Sequence, residues 1–259
     1  MSTTLSPVPP VRRTTAEPLG SGPAEPALLL PGRGPVPAAG LPGEGCADLW
    51  LVDTAAHRAT AGAQAPAVLD TQEQARAAEF LHRGDRDGYL ASHVALRRLL
   101  AGYLRQGPSA VTISRAPCPG CGLPHGRPVV AADPPLHFSL SHCGELSLLA
   151  FAAAPVGVDI EALPGARTVA EAAEVLHPRE AAELAFLGPL ERRHAFARVW
   201  TRKEAYLKGI GIGLADNPAG HYVGSGAVPA PLPGWTVAPV AVPGDHHAAV
   251  ALRTGAAPG

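Results

Sequence analysis

The chain has 259 residues, 46% of them hydrophobic, so it is long enough to bury a core in one large domain or two small ones. Its 21 basic and 22 acidic residues nearly balance, which gives no overall field favouring nucleic acid or an anionic membrane as a partner. The apolar stretches end well short of the ~20 residues that a membrane span needs, and no secretory signal pattern follows Met1, so we expect a cytoplasmic protein.

Residues 1–45 are rich in Pro, Gly and Ala and show no apolar periodicity, a composition that predicts disorder. The elements that follow are predicted from alternating apolar residues for strands and from apolar residues at helical spacing for helices. In chain order they are a strand at 47–52, helices at 72–80 and 89–103, a strand at 111–113, a turn-rich loop at 118–122, and strands at 138–142 and 146–152.

The second half of the chain repeats this order of element types, although no repeat is visible in the residues themselves. Its predicted elements are a strand at 155–160, helices at 168–176, 178–186 and 190–208, a mobile Pro/Gly-rich loop at 215–234, and strands at 235–242 and 247–252. We therefore predict an α+β fold of two similar halves, with the ligand in the cleft between them. The predicted divisions are a disordered segment 1–45, an N-terminal half 46–154, a C-terminal half 155–253 and a tail 254–259.

Two carboxylates occur at alternate positions of the strand that contains Gly157-Val158-Asp159-Ile160-Glu161. Residues i and i+2 of a strand project from the same face, so Asp159 and Glu161 point one way while Val158 and Ile160 point into the core. Adjacent carboxylates repel each other unless a cation lies between them, and a few carboxylate oxygens are the usual protein ligands of Mg²⁺. Taken alone, the pair is more often two solvated acids at a strand end.

A third carboxylate lies on the longest predicted helix, within Trp200-Thr201-Arg202-Lys203-Glu204-Ala205-Tyr206-Leu207-Lys208. Glu204 and Lys208 are four residues apart and share a helix face, which is also the spacing of an ordinary surface ion pair. Lys203 and Lys208 are the only lysines of the chain. Since the ammonium is a compact point charge that the planar guanidinium does not always replace, two retained lysines suggest a chemical need.

These motifs together resemble the signature of the 4′-phosphopantetheinyl transferases. The resemblance rests on G-V-D-I-E, followed some forty residues later by W-T-R-K-E-A-Y-L-K-G-x-G-x-G-L. Phe138-Ser139-Leu140-Ser141-His142 and Gly126-Arg127-Pro128 further resemble the surfactin-synthetase-activating (Sfp) type. The similarity spans roughly residues 70–215, and four motifs in the same order make it specific.

The resemblance implies an enzyme that moves the phosphopantetheine arm of coenzyme A to a serine of an apo acyl or peptidyl carrier protein, releasing adenosine 3′,5′-bisphosphate. Asp159, Glu161 and Glu204 match the family's Mg²⁺ ligands, and Glu204 also matches the base that deprotonates the carrier serine. Lys208 matches the ammonium that steadies the pyrophosphate. The resemblance also implies a monomer containing both halves.

Other residues match the family's coenzyme A contacts. Ser141 and His142 match phosphate contacts, and His142 would serve best as a cation. Arg127 matches a basic residue near the adenosine phosphates, and Arg76 one that grips the 3′-phosphate. The remaining positions expected to contact coenzyme A are Asp159, Lys203, Lys208, Arg83 and, for the 3′-phosphate, Arg86. For Arg83 and Arg86, a solvated helix face is an equal alternative.

Cys118 and Cys121, with His125, offer three soft metal ligands, which makes a structural zinc the sharper hypothesis for this loop. No fourth ligand is evident nearby in the sequence, although Cys143 or His142 could approach in space. A tight turn with free thiols is therefore the favoured interpretation. The four cysteines of the chain do not form a disulfide framework.

Two alternatives to the transferase remain at this point. One keeps Mg²⁺ and pyrophosphate but makes water the acceptor, which gives a coenzyme A or nucleotide hydrolase. The other is a non-catalytic binding module organised by the Cys118/Cys121 loop. The sequence does not identify the carrier protein, which could serve fatty-acid, polyketide or nonribosomal peptide synthesis, and antibiotic biosynthesis is one such setting.

Overall fold

The computed structural model describes residues 18–20, 22–31, 40–212 and 217–255, and it shows the predicted α+β class. The strands are β1 (Ala27–Leu29), β2 (Asp48–Asp53), β3 (Ile113–Arg115), β4 (Pro128–Val130), β5 (His137–Cys143), β6 (Leu146–Ala152), β7 (Val156–Ala162), β8 (Trp235–Pro239) and β9 (His246–Arg253). The helices are α1 (Thr54–Val68), α2 (Thr71–Ala78), α3 (Arg83–Leu104), α4 (Ala166–Ala172), α5 (Pro178–Ala185) and α6 (Pro189–Ile210).

The two main sheets share one strand order. In the first sheet β2, β6 and β5 are adjacent in that order and antiparallel, with β1 added parallel to the outer edge of β2. In the second sheet the order is β7, β9, β8, again antiparallel. Strand β6 thus lies between β2 and β5, and β9 lies between β7 and β8. In each sheet the strand that comes last in the chain is therefore the central one of these three. The two halves therefore have the same core topology although their sequences show no repeat.

Alternation along the strands divides the core into layers. In β2, Leu49 and Leu51 pack against the second sheet, whereas Trp50 and Val52 pack on the α3 side of the first sheet. The outer face of the second sheet packs on α6 through Ala205. Each sheet thus packs one face against the other sheet and its opposite face against a long helix. The architecture is therefore four layers in the order helix, sheet, sheet, helix.

The sheets join where β5 runs beside β7. The hydroxyl of Ser139 on β5 accepts a hydrogen bond from the Val158 N–H at 3.1 Å. Ser141, two residues further along β5, faces the same way and donates to Asp159 at 2.8 Å. This seam brings the first predicted acid of β7 against the first half of the molecule.

A glycine allows α6 to approach β7 closely enough to complete the seam. A Cβ built on Gly157 would lie 2.0 Å from the Ala205 carbonyl oxygen and 2.5 Å from the Gly209 nitrogen. Only a residue without a side chain permits this contact between backbones. The glycine of the G-V-D-I-E motif therefore brings Glu204 and Lys208 of α6 next to the acids of β7.

The prediction of disorder for residues 1–45 is wrong where the structure describes this segment. Residues 27–29 form β1, and Ala24 exchanges backbone hydrogen bonds with Pro239 (2.8 Å) and Ala241 (2.9 Å) in the second half. Ala24, Ala27 and Leu29 are buried and provide the apolar contacts that order this segment. The Pro-rich composition gave no indication of these contacts. The same prediction for residues 1–17, 21 and 32–39 lies outside the described residues.

The prediction of a mobile loop at 215–234 is also wrong for residues 217–234. Val223 is fully buried, and its N–H donates to Glu180 at 2.7 Å. Arg202 donates to the carbonyl oxygens of Gly224, Gly226 and Ala227 at 2.7–2.8 Å. Buried side chains of α5 and α6 thus replace the regular backbone ladder that this segment lacks. Residues 213–216 lie outside the described part.

Helix α1 and strand β4 were not predicted from the sequence. Helix α1 was not predicted because its Ala-, Thr- and Gly-containing sequence lacks a clear apolar stripe and includes Pro66, although Asp53 caps it by accepting from the Ala56 N–H at 2.9 Å. Strand β4 begins at Pro128 and pairs only with β3 in a two-stranded ribbon. Of the helices described, none combines the length and apolar character required to cross a membrane.

Candidate active site

Asp159 is the centre of the candidate site. Its side chain is almost completely buried, and Oδ1 accepts hydrogen bonds from Lys208 Nζ at 2.6 Å and Ser141 Oγ at 2.8 Å. Lys208 Nζ also reaches Ser141 Oγ at 3.0 Å. The second oxygen, Oδ2, is buried and has no hydrogen-bond partner. A buried carboxylate oxygen without a partner is costly unless a cation or a ligand satisfies it.

The two other predicted acids are under electrostatic strain. Burial, followed by the charges of Asp159 and Glu204, raises the pKa of Glu161 to about 7, although Lys208 opposes the shift. Burial and the charge of Asp159 likewise raise the pKa of Glu204. The carboxylates are thus close enough to disfavour one another's charge, and a single lysine does not neutralise all three.

This donor set fits a hard divalent cation. It offers only carboxylate oxygens, one of them orphaned, and the repulsion among them would be relieved by a bound ion. The ligand atoms are not gathered as tightly as in a closed site. Among the described residues, the only group of at least three His, Cys, Asp or Glu ligand atoms within 4.8 Å of one another is Cys118, Cys121 and His125. Asp159, Glu161 and Glu204 therefore form an open carboxylate cluster.

A cleft of about 940 Å³ lies next to this cluster, lined by both halves of the molecule. Lys208 connects the two, because it lines the cleft and also binds Asp159, whereas the three acids are not among the lining residues. The cationic and histidine side chains on the cleft wall are Arg76, His93, Arg115, His125, Arg127 and Lys208. Asp70 and Glu73 also line the cleft but are paired with Arg97. The cationic side chains on the wall therefore suit the cleft to an anionic ligand that extends toward Lys208.

A buried ion-pair network holds the first-half wall in place. Arg97 is 1% exposed and binds Glu73 at 2.5 Å and Asp70, both of which form the capping box of α2. Burial raises the pKa of Glu73, but hydrogen bonds from His93, the Asp70 N–H and Arg97 outweigh it, so that this pKa lies below its usual range. The network anchors the start of α2, the helix that carries Arg76 to the cleft.

Arg127 reaches across the cleft. Its guanidinium donates to the Gly209 carbonyl oxygen at the end of α6 at 2.9 Å, while Nε is buried without a partner. Burial and the charge of Arg253 lower its pKa. A buried guanidinium N–H without an acceptor is a vacant binding position for an anionic oxygen.

Of the predicted site residues, the structure brings Asp159, Glu161, Glu204, Lys208 and Ser141 together and places Arg76 and Arg127 on the cleft wall. It does not bring Arg83 or Arg86 there. Arg83 is 92% exposed and faces Asp87 at 3.6 Å, and Arg86 is exposed on the same helix. In this structure both side chains lie on a solvated helix face.

The expectation that Lys203 contacts coenzyme A is also corrected. Its ammonium is 2% exposed and lies 2.8 Å from Glu180, which is fully buried. It donates as well to the carbonyl oxygens of Pro218, at 2.8 Å, and His221. All three of its N–H bonds are therefore used inside the second half, away from the cleft lining.

His142 lies near the end of β5 with an exposed side chain. The cationic form expected for it from the sequence is not favoured in this structure. Desolvation lowers its pKa, the charges of Lys208 and His93 add to that shift, and Asp85 opposes it. In the absence of a phosphate the ring is therefore held toward its neutral form.

Sequence reasoning overlooked several residues on the cleft wall. Arg115 and His93 face the cleft, but an arginine on a short strand and a histidine within a helix carry no motif that would single them out. The Arg97 network was equally hidden, since Arg97 lies among apolar residues of α3. The capping-box pattern at Asp70 and Glu73 was a signal that could have located the start of α2.

The family model described as 4′-phosphopantetheinyl transferase superfamily (ACPS) matches residues 155–224, which contain all three acids and Lys208. The 4′-phosphopantetheinyl transferase HetI of Nostoc sp. is 32% identical over 197 residues, which cover 73% of this chain and 80% of that protein. A 4′-phosphopantetheinyl transferase of Bacillus subtilis is 26% identical over 58% of this chain and 63% of its own length. The 4′-phosphopantetheinyl transferase Sfp of Bacillus subtilis is 24% identical over 57% and 62%, respectively.

The matches to the two Bacillus subtilis proteins thus span somewhat less than two thirds of their lengths, while the match to HetI spans most of that protein. The similarity to HetI extends well beyond the residues of the site, and the family model independently covers the acids. This chain belongs to the 4′-phosphopantetheinyl transferase superfamily, a family of transferases.

Proposed function

We propose that this protein transfers the 4′-phosphopantetheine group of coenzyme A to a serine hydroxyl of an apo carrier protein, releasing adenosine 3′,5′-bisphosphate. The observation that carries the proposal is the position of Asp159. This buried acid binds Lys208 through one oxygen, keeps the other oxygen unpaired, and lies beside a cleft whose wall is rich in cationic residues. A pyrophosphate with its cation would satisfy both the acid and the cleft.

The cleft has the volume and the charges for coenzyme A. About 940 Å³ lies at the upper end of the range for ligand pockets, which suits a long nucleotide-containing substrate. Arg127 offers an unpaired buried Nε–H, and Arg76 also lines the cleft. We assign Arg76 and Arg127 to the adenosine phosphates, and Ser141 and His142 to the pyrophosphate.

We propose Mg²⁺ as the metal and Asp159, Glu161 and Glu204 as the residues that would hold it. The choice follows from the all-oxygen donor set and from the repulsion among the acids. When bound, the ion would draw charge from the attacked phosphorus and stabilise the leaving phosphate. Members of this family are generally metal-dependent.

The transfer needs one base and one fixed cation from the chain. The serine oxygen forms a bond to the phosphorus that carries the pantetheine arm, and the bond from that phosphorus to the bridging oxygen breaks toward adenosine 3′,5′-bisphosphate. Glu204 takes the serine proton, directly or through water. Lys208, fixed by Asp159 and Ser141, faces the charge that develops on the leaving group.

The partners in this proposal are coenzyme A and an apo acyl or peptidyl carrier domain, with a cytoplasmic monomer as the working form. Neither a nucleic acid nor a membrane takes part. Which carrier is used, and whether it serves polyketide or nonribosomal peptide synthesis, would follow from a panel of apo carriers.

Mass spectrometry of an apo carrier incubated with the protein, coenzyme A and Mg²⁺ tests the proposal. The expected result is a mass gain of one phosphopantetheine group on the carrier serine, absent from a serine-to-alanine carrier. Coenzyme A consumed without a mass gain on any carrier of the panel would contradict the transferase and favour a hydrolase.

A further inference from the structure

The loop between β3 and β4 gathers three metal-binding side chains that the proposed transfer reaction does not use. The ligand atoms of Cys118, Cys121 and His125 all lie within 4.8 Å of one another, with Cys121 Sγ 2.9 Å from His125 Nε2. In a tetrahedral zinc site, with bonds of about 2.3 Å to sulfur and about 2.0 Å to nitrogen, neighbouring ligand atoms are about 3.5–3.8 Å apart. Cys121 and His125 would therefore have to separate by about 0.6 Å around an ion.

The backbone of this loop is already arranged for the three ligands. Cys118 N–H donates to the Leu123 carbonyl oxygen at 2.8 Å, Gly122 N–H to that of Cys118 at 2.8 Å, and His125 N–H to that of Leu123 at 2.8 Å. The N–H groups of Gly120 and Cys121 are directed at the Cys118 sulfur. Hydrogen bonds to a ligand atom from groups outside the ligand set hold that atom in a fixed orientation toward a metal.

The base of the loop is fixed by the adjoining strands. Gly126 N–H donates to the Ala116 carbonyl oxygen at 2.9 Å, and Ala116 N–H donates to that of Arg127 at 3.0 Å. A Cβ on Gly126 would lie 2.6 Å from the Ala116 oxygen, so that this close pairing requires glycine. His125, Gly126 and Arg127 all line the cleft, and the loop therefore connects the three ligands directly to the wall that receives the anionic ligand.

From this geometry we infer a zinc site formed by Cys118, Cys121 and His125, which holds the β3–β4 loop and thereby positions Arg127 at the cleft. Two thiolates and one imidazole favour Zn²⁺ over Mg²⁺ or Ca²⁺, which take oxygen ligands. Cys118 is buried while Cys121 and His125 are exposed. Within the described residues no fourth Cys, His, Asp or Glu joins the group, so the proposed site has three protein ligands and one open position. A tight turn with free thiols, the interpretation favoured from the sequence, is the outcome that the following test would return if the site does not form.

Zinc content measured by mass spectrometry on reduced protein, reconstituted with zinc and freed of excess metal, tests this site. We expect about one zinc per chain in the wild type, and at least tenfold weaker binding in Cys121→Ser and His125→Gln, both of which change exposed side chains. Cys46→Ser is the matched control, because it removes a thiol outside the loop and should keep the full zinc content.

Two further readouts make the outcome decisive. Cobalt in place of zinc should give a thiolate-to-metal absorption band in the wild type and in Cys46→Ser that is lost in Cys118→Ser. Zinc should raise the Tm of the wild type but not that of Cys121→Ser. Wild-type protein with little zinc after reconstitution, or Cys121→Ser binding zinc as tightly as the wild type, would overturn the site. Transfer activity in a protein that binds no zinc would contradict only the zinc site. Zinc binding in a protein without transfer activity would contradict only the proposed function.

Discussion

Two lysines of the same helix, α6, pair with carboxylates in opposite environments. Lys203 and Glu180 are 2% and 0% exposed, their atoms are 2.8 Å apart, and backbone groups satisfy the remaining donors and acceptors. Lys208 and Asp159 are also in contact, at 2.6 Å, but Lys208 is 30% exposed, and Asp159 keeps an unpaired oxygen next to two acids of raised pKa.

The difference indicates that the Lys203–Glu180 pair is structural and that the Lys208–Asp159 pair is available to a ligand. A fully satisfied buried pair offers nothing to a ligand, whereas a pair with a spare oxygen, repelling neighbours and an open cleft can bind one. Both lysines lie on the same helix and each is paired with a carboxylate. Only the residues around each pair therefore show which lysine is structural and which can take part in the reaction.

The largest effect is expected from Asp159→Asn. The substitution keeps the shape but removes the charge that holds Lys208 and would bind the metal, so the transfer rate should fall by about 10³-fold or more. Rates of holo-carrier formation measure it, and circular dichroism should show the wild-type fold. Glu174→Gln, at an exposed acid outside the site, is the control and should transfer at the normal rate.

Glu180→Ala should affect stability in place of chemistry. It leaves the Lys203 ammonium buried without its carboxylate, and the loss in free energy of unfolding should be about 3–5 kcal/mol. Urea denaturation measures this loss. Glu171→Ala removes an acid from an exposed pair with Arg167 and should cost less than about 1 kcal/mol. Similar losses in the two variants would mean that the buried pair is not structural.

Lys208→Arg should be a milder test of the catalytic pair. It keeps the positive charge, but the longer planar guanidinium does not fit between Asp159 Oδ1 and Ser141 Oγ in the same way, so we expect kcat to fall about tenfold. Arg167→Lys makes the reverse exchange at an exposed pair and should leave kcat unchanged. A Lys208→Arg enzyme as fast as the wild type would show that only charge matters there.

The smallest effect concerns pH. Because the pKa of Glu161 is raised to about 7 from an ordinary 4.5, the folded state holds this proton more tightly than the unfolded state does. Its contribution to stability is present below about pH 4.5 and is lost as pH rises through about 7. Without divalent cations, the Tm should thus fall over this range, and added Mg²⁺ should raise it more at pH 8 than at pH 5.

Glu161→Gln is the control for the pH effect, since it has no proton to lose and should flatten this part of the profile. An unchanged pH dependence of Tm in Glu161→Gln would show that another group is responsible for it.

The sequence predicted those features that depend on local spacing. Alternation located β2, β5, β6 and β7, and the i, i+2 spacing of Asp159 and Glu161 placed both acids on one face of a strand. The i, i+4 spacing of Glu204 and Lys208 placed them on one helix face. Motif resemblance then joined these two local patterns, which lie far apart in the chain.

The features that were missed depend on distant partners. Lys203 looked like Lys208 in sequence, and its role became visible only when Glu180 of α5 and the carbonyl oxygens of Pro218 and His221 surrounded it. The segment 217–234 looked mobile because its order comes from side chains such as Arg202 and not from its own backbone pattern. The spacing of residues along the chain does not predict contacts of this kind.

The most direct test of the two separate roles compares Lys208→Met with Lys203→Met, measuring single-turnover transfer to an apo carrier and thermal melting on the same samples. We expect Lys208→Met to melt close to the wild type but to transfer at least 10²-fold more slowly. Lys203→Met should melt at a much lower temperature, while its folded fraction transfers at nearly the normal rate. A Lys208→Met protein that transfers at the wild-type rate would contradict these separate roles.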